Sequence, residues 1–300
     1  MKESMSFLKV MFVIVLGISD HLILERIQTI ILFIKKLIMN LRMQKNNNKI
    51  KAVILCGGLG TRFSEKTKTI PKPMIQIGKF PILFHILKIY EKNGINDFIF
   101  ALGYKGKIIE KYFNLKNLNR INQQYCKYLN KKPKKITWNI SFNYSGLKTM
   151  TGGRLLRLKK LLQNENFFLL TYGDGLSNVN IKQLIKFHKK YNKIATVTAV
   201  IPSARFGALD LKGRIVKSFS EKPQSGEGWI NGGFFCFKNT IFNYLKEDKT
   251  VLEETPLENL AKKKNLLAFK HFKYWQCMDT RRDFDLLSKL WKLKKFLWLR

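Results

Sequence analysis

The chain is poor in acidic residues, cysteine and histidine. Its 300 residues include 20 Asp and Glu against 56 Lys and Arg, with four Cys and four His. The cysteines, at 56, 126, 236 and 277, form no CxxC pair and the histidines form no HExxH sequence, which excludes the common zinc motifs. The cysteines also lack the pattern of a secreted disulfide framework, so we expect reduced thiols and a cytoplasmic location.

The net charge of +36 is compatible with binding to nucleic acid or to an anionic membrane surface. However, the lysines are spread along the chain in ones and twos, without a basic stripe, zinc-finger spacing or RNP-like motif. This distribution favours a generally lysine-rich surface, so we expect no nucleic-acid partner. A hydrophobic content of 45% and an aromatic content of 13% indicate a folded protein with a sizeable core.

Residues 1–49 form an apolar and basic extension that differs from the rest of the chain. Its apolar run 7–18 is too short to span a bilayer, and the charges within run 22–41 suit an amphipathic helix. Three interpretations stay open: a membrane-surface anchor, a packing or oligomerisation helix, or translation from a start codon upstream of Met43. We prefer the last, so membrane contact by residues 1–42 is not favoured.

From Ile50 onward, strand and helix patterns alternate. Strands are predicted over 52–55, 97–102, 138–144, 167–171 and 195–201, and helices over 82–93, 107–114, 155–162, 181–191 and from 283 to the end; 205–237 is interpreted as irregular strands and turns. Alternation of this kind predicts an α/β fold. We therefore expect one domain, residues 50–300, with a Rossmann-like, mostly parallel sheet and helices on both faces.

A glycine-rich segment, Leu55-Cys-Gly-Gly-Leu-Gly-Thr-Arg62, follows the first strand. Glycines let the backbone approach a ligand closely, so that N–H groups can face phosphate oxygens. Arg62 and the later Lys72 add positive charge that can neutralise a triphosphate. No Gly-Lys-Ser/Thr follows, and Phe63 stands where a dinucleotide fingerprint needs its third glycine. The segment therefore predicts a phosphate-binding loop that is neither a Walker A loop nor a dinucleotide fingerprint.

Two carboxylates are candidate metal ligands. Asp174, in Tyr172-Gly-Asp-Gly175, follows an apolar strand, although an Asp between glycines is also typical of a plain turn. Asp279 precedes Thr280, a pair that also suits a helix N-cap. In triphosphate sites Mg²⁺ is held by one or two carboxylates together with phosphates and waters. Asp174 is thus the first candidate ligand, and Asp279 is a candidate second whose local sequence alone suits an N-cap equally well.

From Lys51 to about Trp291 the chain resembles the glucose-1-phosphate cytidylyltransferases, which are sugar-phosphate nucleotidyltransferases with a GT-A-like fold. The shared motifs, in chain order, are GGLGTR, PKPM, Thr149-Met-Thr-Gly-Gly-Arg154, YGDG, Phe219-Ser-Glu-Lys-Pro223, Trp229-Ile-Asn-Gly-Gly-Phe-Phe235, Glu254-Thr-Pro-Leu-Glu258 and YWQCMDTRRD. Two features depart from the family pattern. Cys56 stands where alanine is usual, and 49 residues precede the first strand.

The resemblance implies an enzyme that converts CTP and α-D-glucose 1-phosphate into CDP-glucose and pyrophosphate, with Mg²⁺ as cofactor and as a homo-oligomer. The catalytic residues that it implies are Arg62, Lys72 and Asp174. The implied ligands of Mg²⁺ are Asp174 and Asp279. The implied nucleotide and substrate contacts are Leu55, Cys56, Gly57, Gly58, Leu59, Gly60, Thr61, Arg62, Lys72, Thr149, Arg154, Gly173, Glu221, Lys222 and Asn231.

Three alternatives remain. The first is a sister nucleotidyltransferase that uses another base or sugar. The second is a non-catalytic nucleotide-binding paralogue, which the presence of Arg62, Lys72, Asp174, Lys222 and Asp279 disfavours. The third is a nucleic-acid binder, which rests on charge alone; its binding would fall steeply with salt.

Overall fold

The computed structural model describes residues 29–32, 34, 50–63, 67–202, 208–212, 214–220 and 228–300. The chain divides into two compact units, 1–49 and 50–300. In the first unit, residues 29–32 and 34 are helical, and the apolar side chains among them are exposed. The predicted run 7–18 and most of 22–41 lie outside the described residues. Within the described part of the chain, no helix combines the length and apolarity needed to cross a bilayer.

The second unit alternates strands and helices through most of its length. Its strands are β1 (Lys51–Cys56), β2 (Gln76–Ile77), β3 (Phe80–Pro81), β4 (Asp97–Leu102), β5 (Asn139–Tyr144), β6 (Phe167–Tyr172), β7 (Gly175–Ser177), β8 (Ala195–Val200), β9 (Ala208–Lys212), β10 (Ile215–Ser220), β11 (Ile230–Asn231), β12 (Phe235–Lys238), β13 (Leu266–His271) and β14 (Trp275–Cys277). Its α-helices are α1 (Ile82–Lys92), α2 (Gly106–Tyr112), α3 (Leu115–Tyr128), α4 (Thr151–Arg157), α5 (Lys159–Leu162), α6 (Ile181–Tyr191), α7 (Thr255–Lys262) and α8 (Arg281–Lys292). Short 3₁₀ turns occupy Thr61–Phe63, Lys72–Met74, Asn239–Tyr244 and Leu297–Leu299.

A mixed central sheet has the strand order β11-β8-β12-β6-β1-β4-β5, with β13 also paired to β8. The pairs β6–β1, β1–β4, β4–β5 and β8–β13 are parallel, whereas β12 runs antiparallel to both β6 and β8. The predicted mostly parallel α/β sheet is confirmed. The range 205–237, interpreted as irregular strands and turns, holds β9, β10, β11 and the first residues of β12, and the structure adds that β12 lies in the middle of the central sheet. Phe234 and the first three residues of β12 form a continuous buried apolar run, which has no alternation that could identify a strand.

The inner strands β1, β4 and β6 are buried on both faces, which explains why they are mostly apolar along their length. In β1, Ala52, Ile54 and Cys56 pack into one core cluster with residues of α1, α3 and α6. Val53 and Leu55 pack into a second cluster with residues of α4, α5 and α7. Burial on both faces is typical of a parallel sheet covered by helices on two sides.

One helix begins earlier than predicted. The expected helix 155–162 instead starts at Thr151 and is interrupted at Leu158, so part of the Thr149–Arg154 motif is helical. Two glycines hid this start, because glycine has low helix propensity. They are required by packing: a Cβ on Gly153 would lie 2.2 Å from the carbonyl oxygen of Asp248. Helices α3 and α7 and strand β13 were not predicted.

Candidate active site

Lys72, Asp174 and Asp279 meet at the carboxyl end of β6. The Lys72 ammonium lies 2.6 Å from Asp174 Oδ2 and forms a second ion pair with Asp279 Oδ1. The side chains keep 13%, 24% and 22% of their surface exposed, respectively, so all three can still reach a ligand. Burial alone would lower the pKa of Lys72, but the charges and hydrogen bonds of the two carboxylates outweigh it and raise that pKa. Lys72 therefore stays protonated.

Prolines and a glycine place Lys72 against the strand end. Pro71 and Pro73 flank Lys72 in a 3₁₀ turn, where proline fixes the backbone. A Cβ on Gly173 would lie 2.8 Å from Pro73 Cγ and 3.0 Å from the Leu55 carbonyl oxygen. Only a residue without a side chain lets the turn approach β6 and β1 this closely. Gly173 is thus a position of close approach between parts of the protein itself.

Asp279 is brought to Asp174 by the antiparallel pair β7–β14. Cys277 is paired with Gly175, and the Met278 N–H donates to the Asp174 carbonyl oxygen at 3.0 Å. Directly after Asp279, Thr280 and Asp283 form a capping box at the start of α8. The Asp279 N–H also donates to Asp283 at 3.1 Å. The N-terminus of a helix stabilises a nearby negative charge, so the start of α8 favours the Asp279 carboxylate at this position.

The glycine-rich loop leaves β1 beside this cluster. Gly60 has a φ of +68°, and a Cβ there would lie 3.3 Å from the Lys72 Cβ, so the loop and Lys72 are neighbours. Gly58 and Leu59 are exposed, as is Thr61. At these positions the loop is accessible to a ligand, and backbone N–H and hydroxyl groups in such a loop can bind phosphate oxygens.

Arg154 holds the base of this loop. Its guanidinium is buried and donates to the Gly57 carbonyl oxygen at 2.9 Å, the Gly146 carbonyl oxygen at 2.8 Å and Ser145 Oγ at 2.8 Å. Longer bonds reach the carbonyl oxygens of Leu102, at 3.3 Å, and Leu147, at 3.4 Å. Burial lowers the pKa of Arg154. The side chain thus joins the loops after β1, β4 and β5.

A further network was missed by sequence reasoning. The Glu253 carboxylate accepts hydrogen bonds from Tyr172 at 2.6 Å and from Thr151 at 2.5 Å, and Tyr172 in turn accepts one from Asn231 at 3.2 Å. Tyr172 and Thr151 lie within motifs of the family resemblance, YGDG and Thr149–Arg154. Glu253 directly precedes a third, Glu254–Glu258. The sequence offered no signal that these segments meet, since Tyr172 and Glu253 are 81 residues apart.

Not every candidate site residue has a described side chain. Glu221 and Lys222 lie outside the described residues, and Arg62 is described only by its backbone, in the turn Thr61–Phe63. The Thr149 and Cys56 side chains are buried. Neither side chain is therefore accessible to a ligand in this structure.

The thiols at the site are not nucleophiles. Burial, with the charges of Asp279 and Asp174, raises the pKa of Cys277 to about 12. Burial also raises the pKa of Cys56. A nucleophilic cysteine needs a thiolate, hence a lowered pKa. The arrangement accordingly suits charge stabilisation of a phosphate group rather than covalent catalysis.

Among the residues that the structure describes, no three His, Cys, Asp or Glu side chains come together in a metal-binding group. Asp174 and Asp279 are the pair that could hold a metal ion here. Two carboxylates complete a coordination shell only with ligands from outside the protein, such as phosphate oxygens and water.

The chain belongs to the nucleotidyl transferase family, whose model matches residues 51–284. It is 44% identical over 253 residues to the glucose-1-phosphate cytidylyltransferase of Salmonella typhimurium, over 83% of this chain and 98% of that protein. It is 32% identical over 220 residues to the D-glycero-alpha-D-manno-heptose 1-phosphate guanylyltransferase of Campylobacter jejuni, over 72% of this chain and 88% of that protein. The predicted family resemblance is confirmed.

The fold is shared with solved structures at lower sequence identity. The UDP-glucose pyrophosphorylase of Acinetobacter baumannii superposes with a TM-score of 0.60 at 18% identity, over 82% of this chain and 94% of that one. At that identity the likeness concerns the fold alone, and it agrees with the predicted α/β architecture.

Proposed function

We propose that this protein transfers a cytidylyl group from CTP to α-D-glucose 1-phosphate, giving CDP-glucose and pyrophosphate. The observation that carries the proposal is the cluster of Lys72, Asp174 and Asp279 beside an exposed glycine-rich loop. A cation and two carboxylates beside a phosphate cradle suit phosphoryl chemistry. The 44% identity to a cytidylyltransferase supports the choice of CTP and glucose 1-phosphate.

In this reaction a phosphate oxygen of the sugar phosphate attacks the α-phosphorus of CTP in line. A new O–P bond forms, the bond from the α-phosphorus to the bridging oxygen breaks, and pyrophosphate leaves with that electron pair. No covalent enzyme intermediate is needed, in accord with the protonated thiols. Catalysis then depends on positioning and on charge stabilisation. The Lys72 ammonium, kept charged by its two carboxylates, would stabilise charge at the α-phosphate.

Asp174 and Asp279 fit a magnesium site. Mg²⁺ prefers oxygen ligands and is commonly held by one or two carboxylates, substrate phosphates and water. When bound, the ion would neutralise phosphate charge. The paired carboxylates already lie around a single cation, the Lys72 ammonium, so their charges are held close together before any ligand arrives.

The remaining assignments rest on the family resemblance. Arg62 would stabilise the departing pyrophosphate, Lys222 would bind the sugar phosphate, and Glu221 and Asn231 would contact sugar hydroxyls. The enzyme would act as a homo-oligomer in the cytoplasm, where CTP is available. The free thiols of the four cysteines support a reducing compartment.

A substrate panel tests the proposal. Pyrophosphate release is measured with CTP, UTP, dTTP, GTP and ATP, each with glucose 1-phosphate, and then with CTP and other sugar 1-phosphates. We expect a clear preference for CTP and glucose 1-phosphate and negligible use of purine nucleotides. Comparable kcat/KM for GTP or dTTP would refute cytidylyl transfer while leaving another nucleotidyl transfer standing.

Lys72→Met tests the cluster. Loss of the ammonium should lower kcat by about 10²–10³, the cost of removing one stabiliser of transition-state charge. Lys79→Met is the matched control, because Lys79 is an exposed lysine in the turn between β2 and β3. Equal activity of the two variants would refute the role of Lys72.

A further inference from the structure

The Glu253 carboxylate receives two hydrogen-bond chains, one at each of its oxygens. One chain comes from Asn231 through Tyr172 to Oε1, and the other from the Leu252 N–H through Thr151 to Oε2. Glu253 is half-buried, and an ionised carboxylate only accepts hydrogen bonds. These facts set the direction of every proton in both chains.

A backbone N–H sets the donor and acceptor roles along the first chain. The Gly233 N–H can only donate, and it lies 2.8 Å from Asn231, so the atom facing it must be Oδ1. The amide nitrogen of Asn231 therefore faces Tyr172, 3.2 Å away, and donates to the phenol oxygen. The loop that carries these groups is itself held: Gly233 has a φ of +72°, and the Trp275 indole donates to the Gly232 carbonyl oxygen at 2.8 Å.

Tyr172 must then donate its own proton elsewhere, and Glu253 accepts it at 2.6 Å. On the other branch the Leu252 N–H donates to Thr151 Oγ1 at 2.9 Å, and the Thr151 hydroxyl donates to Glu253 Oε2, because the carboxylate only accepts. A neutral amide in place of Glu253 cannot accept from both hydroxyls through the same two atoms.

We propose that Glu253 is a positioning residue that orients Asn231, through Tyr172, so that the second N–H of the Asn231 amide is offered to a hydroxyl of the sugar 1-phosphate. The inference rests on the proposed function and deepens it. Asn231 is exposed, and one of its two amide hydrogens is used by Tyr172. Without an acceptor at Glu253, the phenol can turn its proton toward the Asn231 amide nitrogen, so the Asn231–Tyr172 bond is lost and only the Gly233 N–H still holds the amide.

The test uses Glu253→Gln, Tyr172→Phe and the double variant, with Glu254→Gln as the matched control. Glu254 is the exposed neighbour of Glu253. We expect the KM for glucose 1-phosphate to rise about tenfold in each single variant, on the order of one lost hydrogen bond, with little change in the KM for CTP. The double variant should resemble the single ones, since both interrupt the same chain.

Sugar analogues separate positioning from general damage to the fold. The kcat/KM of glucose 1-phosphate is compared with those of its 2-, 3-, 4- and 6-deoxy analogues. We expect Asn231→Ala to remove the wild-type discrimination against one analogue, and Glu253→Gln to weaken the discrimination against that same one. Uniform loss with all analogues, additive effects of Tyr172→Phe and Glu253→Gln, or a Glu253→Gln enzyme that behaves like Glu254→Gln would overturn the inference.

Failure of the proposed function has a different signature. Wild-type enzyme that prefers another sugar 1-phosphate would end the glucose assignment. The inference is then tested on the deoxy analogues of that sugar, with the same variants and the same opposing outcomes.

Discussion

Arg154→Met perturbs the contact on which the shape of the glycine-rich loop depends. Methionine keeps much of the apolar stem and removes the guanidinium, which donates to Gly57, Gly146 and Ser145 at 2.8–2.9 Å. The side chain is only 4% exposed, so water cannot easily replace the lost donors.

The expected loss of stability is the difference between two opposing effects. Each hydrogen bond from a charged donor contributes about 1.5–3 kcal/mol, or about 5–9 kcal/mol for the three short bonds. Removing a buried charge also removes its desolvation cost, which is several kcal/mol. We therefore expect a net loss of about 2–4 kcal/mol in the free energy of unfolding. At about 2–4 °C per kcal/mol for a domain of this size, the Tm should fall by about 4–16 °C.

Two measurements check this expectation. Scanning calorimetry gives the Tm, and steady-state kinetics give the KM for CTP, which should rise at least about tenfold because the Gly57 carbonyl is no longer held. The control is Arg157→Met, on the same helix. Arg157 pairs with Asp248 at the surface, where both side chains are nearly half exposed, so its loss should leave the Tm almost unchanged.

The reasoning fails if Arg154→Met and Arg157→Met have the same Tm. It also fails if Arg154→Met lowers the Tm but leaves the KM for CTP unchanged. In that case the guanidinium would stabilise the fold without shaping the nucleotide loop.

Three further predictions concern the metal, pH and the N-terminal unit. Asp279→Asn should lower kcat by at least about 10²; full wild-type turnover in excess EDTA, or an unimpaired variant, would exclude the metal assignment. Burial lowers the pKa of His85 to about 4, so the folded protein takes up its proton less readily than the unfolded chain, and stability should be complete above pH 6.5 and decline toward pH 4. The loss at pH 5 should be about 2 kcal/mol; urea unfolding of His85→Gln should show a weaker dependence on pH, and an unchanged dependence would contradict the assignment. A chain that starts at Met43 should retain full CTP turnover and thermal stability, whereas an unstable product would mean that residues 1–42 stabilise the second unit.

Several elements could be predicted because their signals are local. Strand β4 has the predicted bounds, Asp97–Leu102, and β1 and β6 extend the predicted strands by one residue at one or both ends. Their residues are apolar on both faces, as burial between two helical layers requires. The glycine-rich loop and Lys72 were identified for a similar reason, since glycine, proline and charge at short spacing restrict the local backbone and its chemistry.

Other features had no local signal. Strand β12 is a continuous apolar run, and its place between β6 and β8 depends on pairing with residues far along the chain. The start of α4 was hidden because its glycines oppose helix formation, and close packing on Asp248 outweighs that preference.

The amino-acid sequence by itself determined the class of fold, the family and the residue types of the site. Only the tertiary structure decided how those residues act together. Lys72 and Asp279 are 207 residues apart, and the two branches that meet at Glu253 span 81 and 102 residues. Propensity and periodicity report on neighbours along the chain, whereas ion pairs and hydrogen-bond directions arise from contacts that form only when the sheet and its loops are assembled.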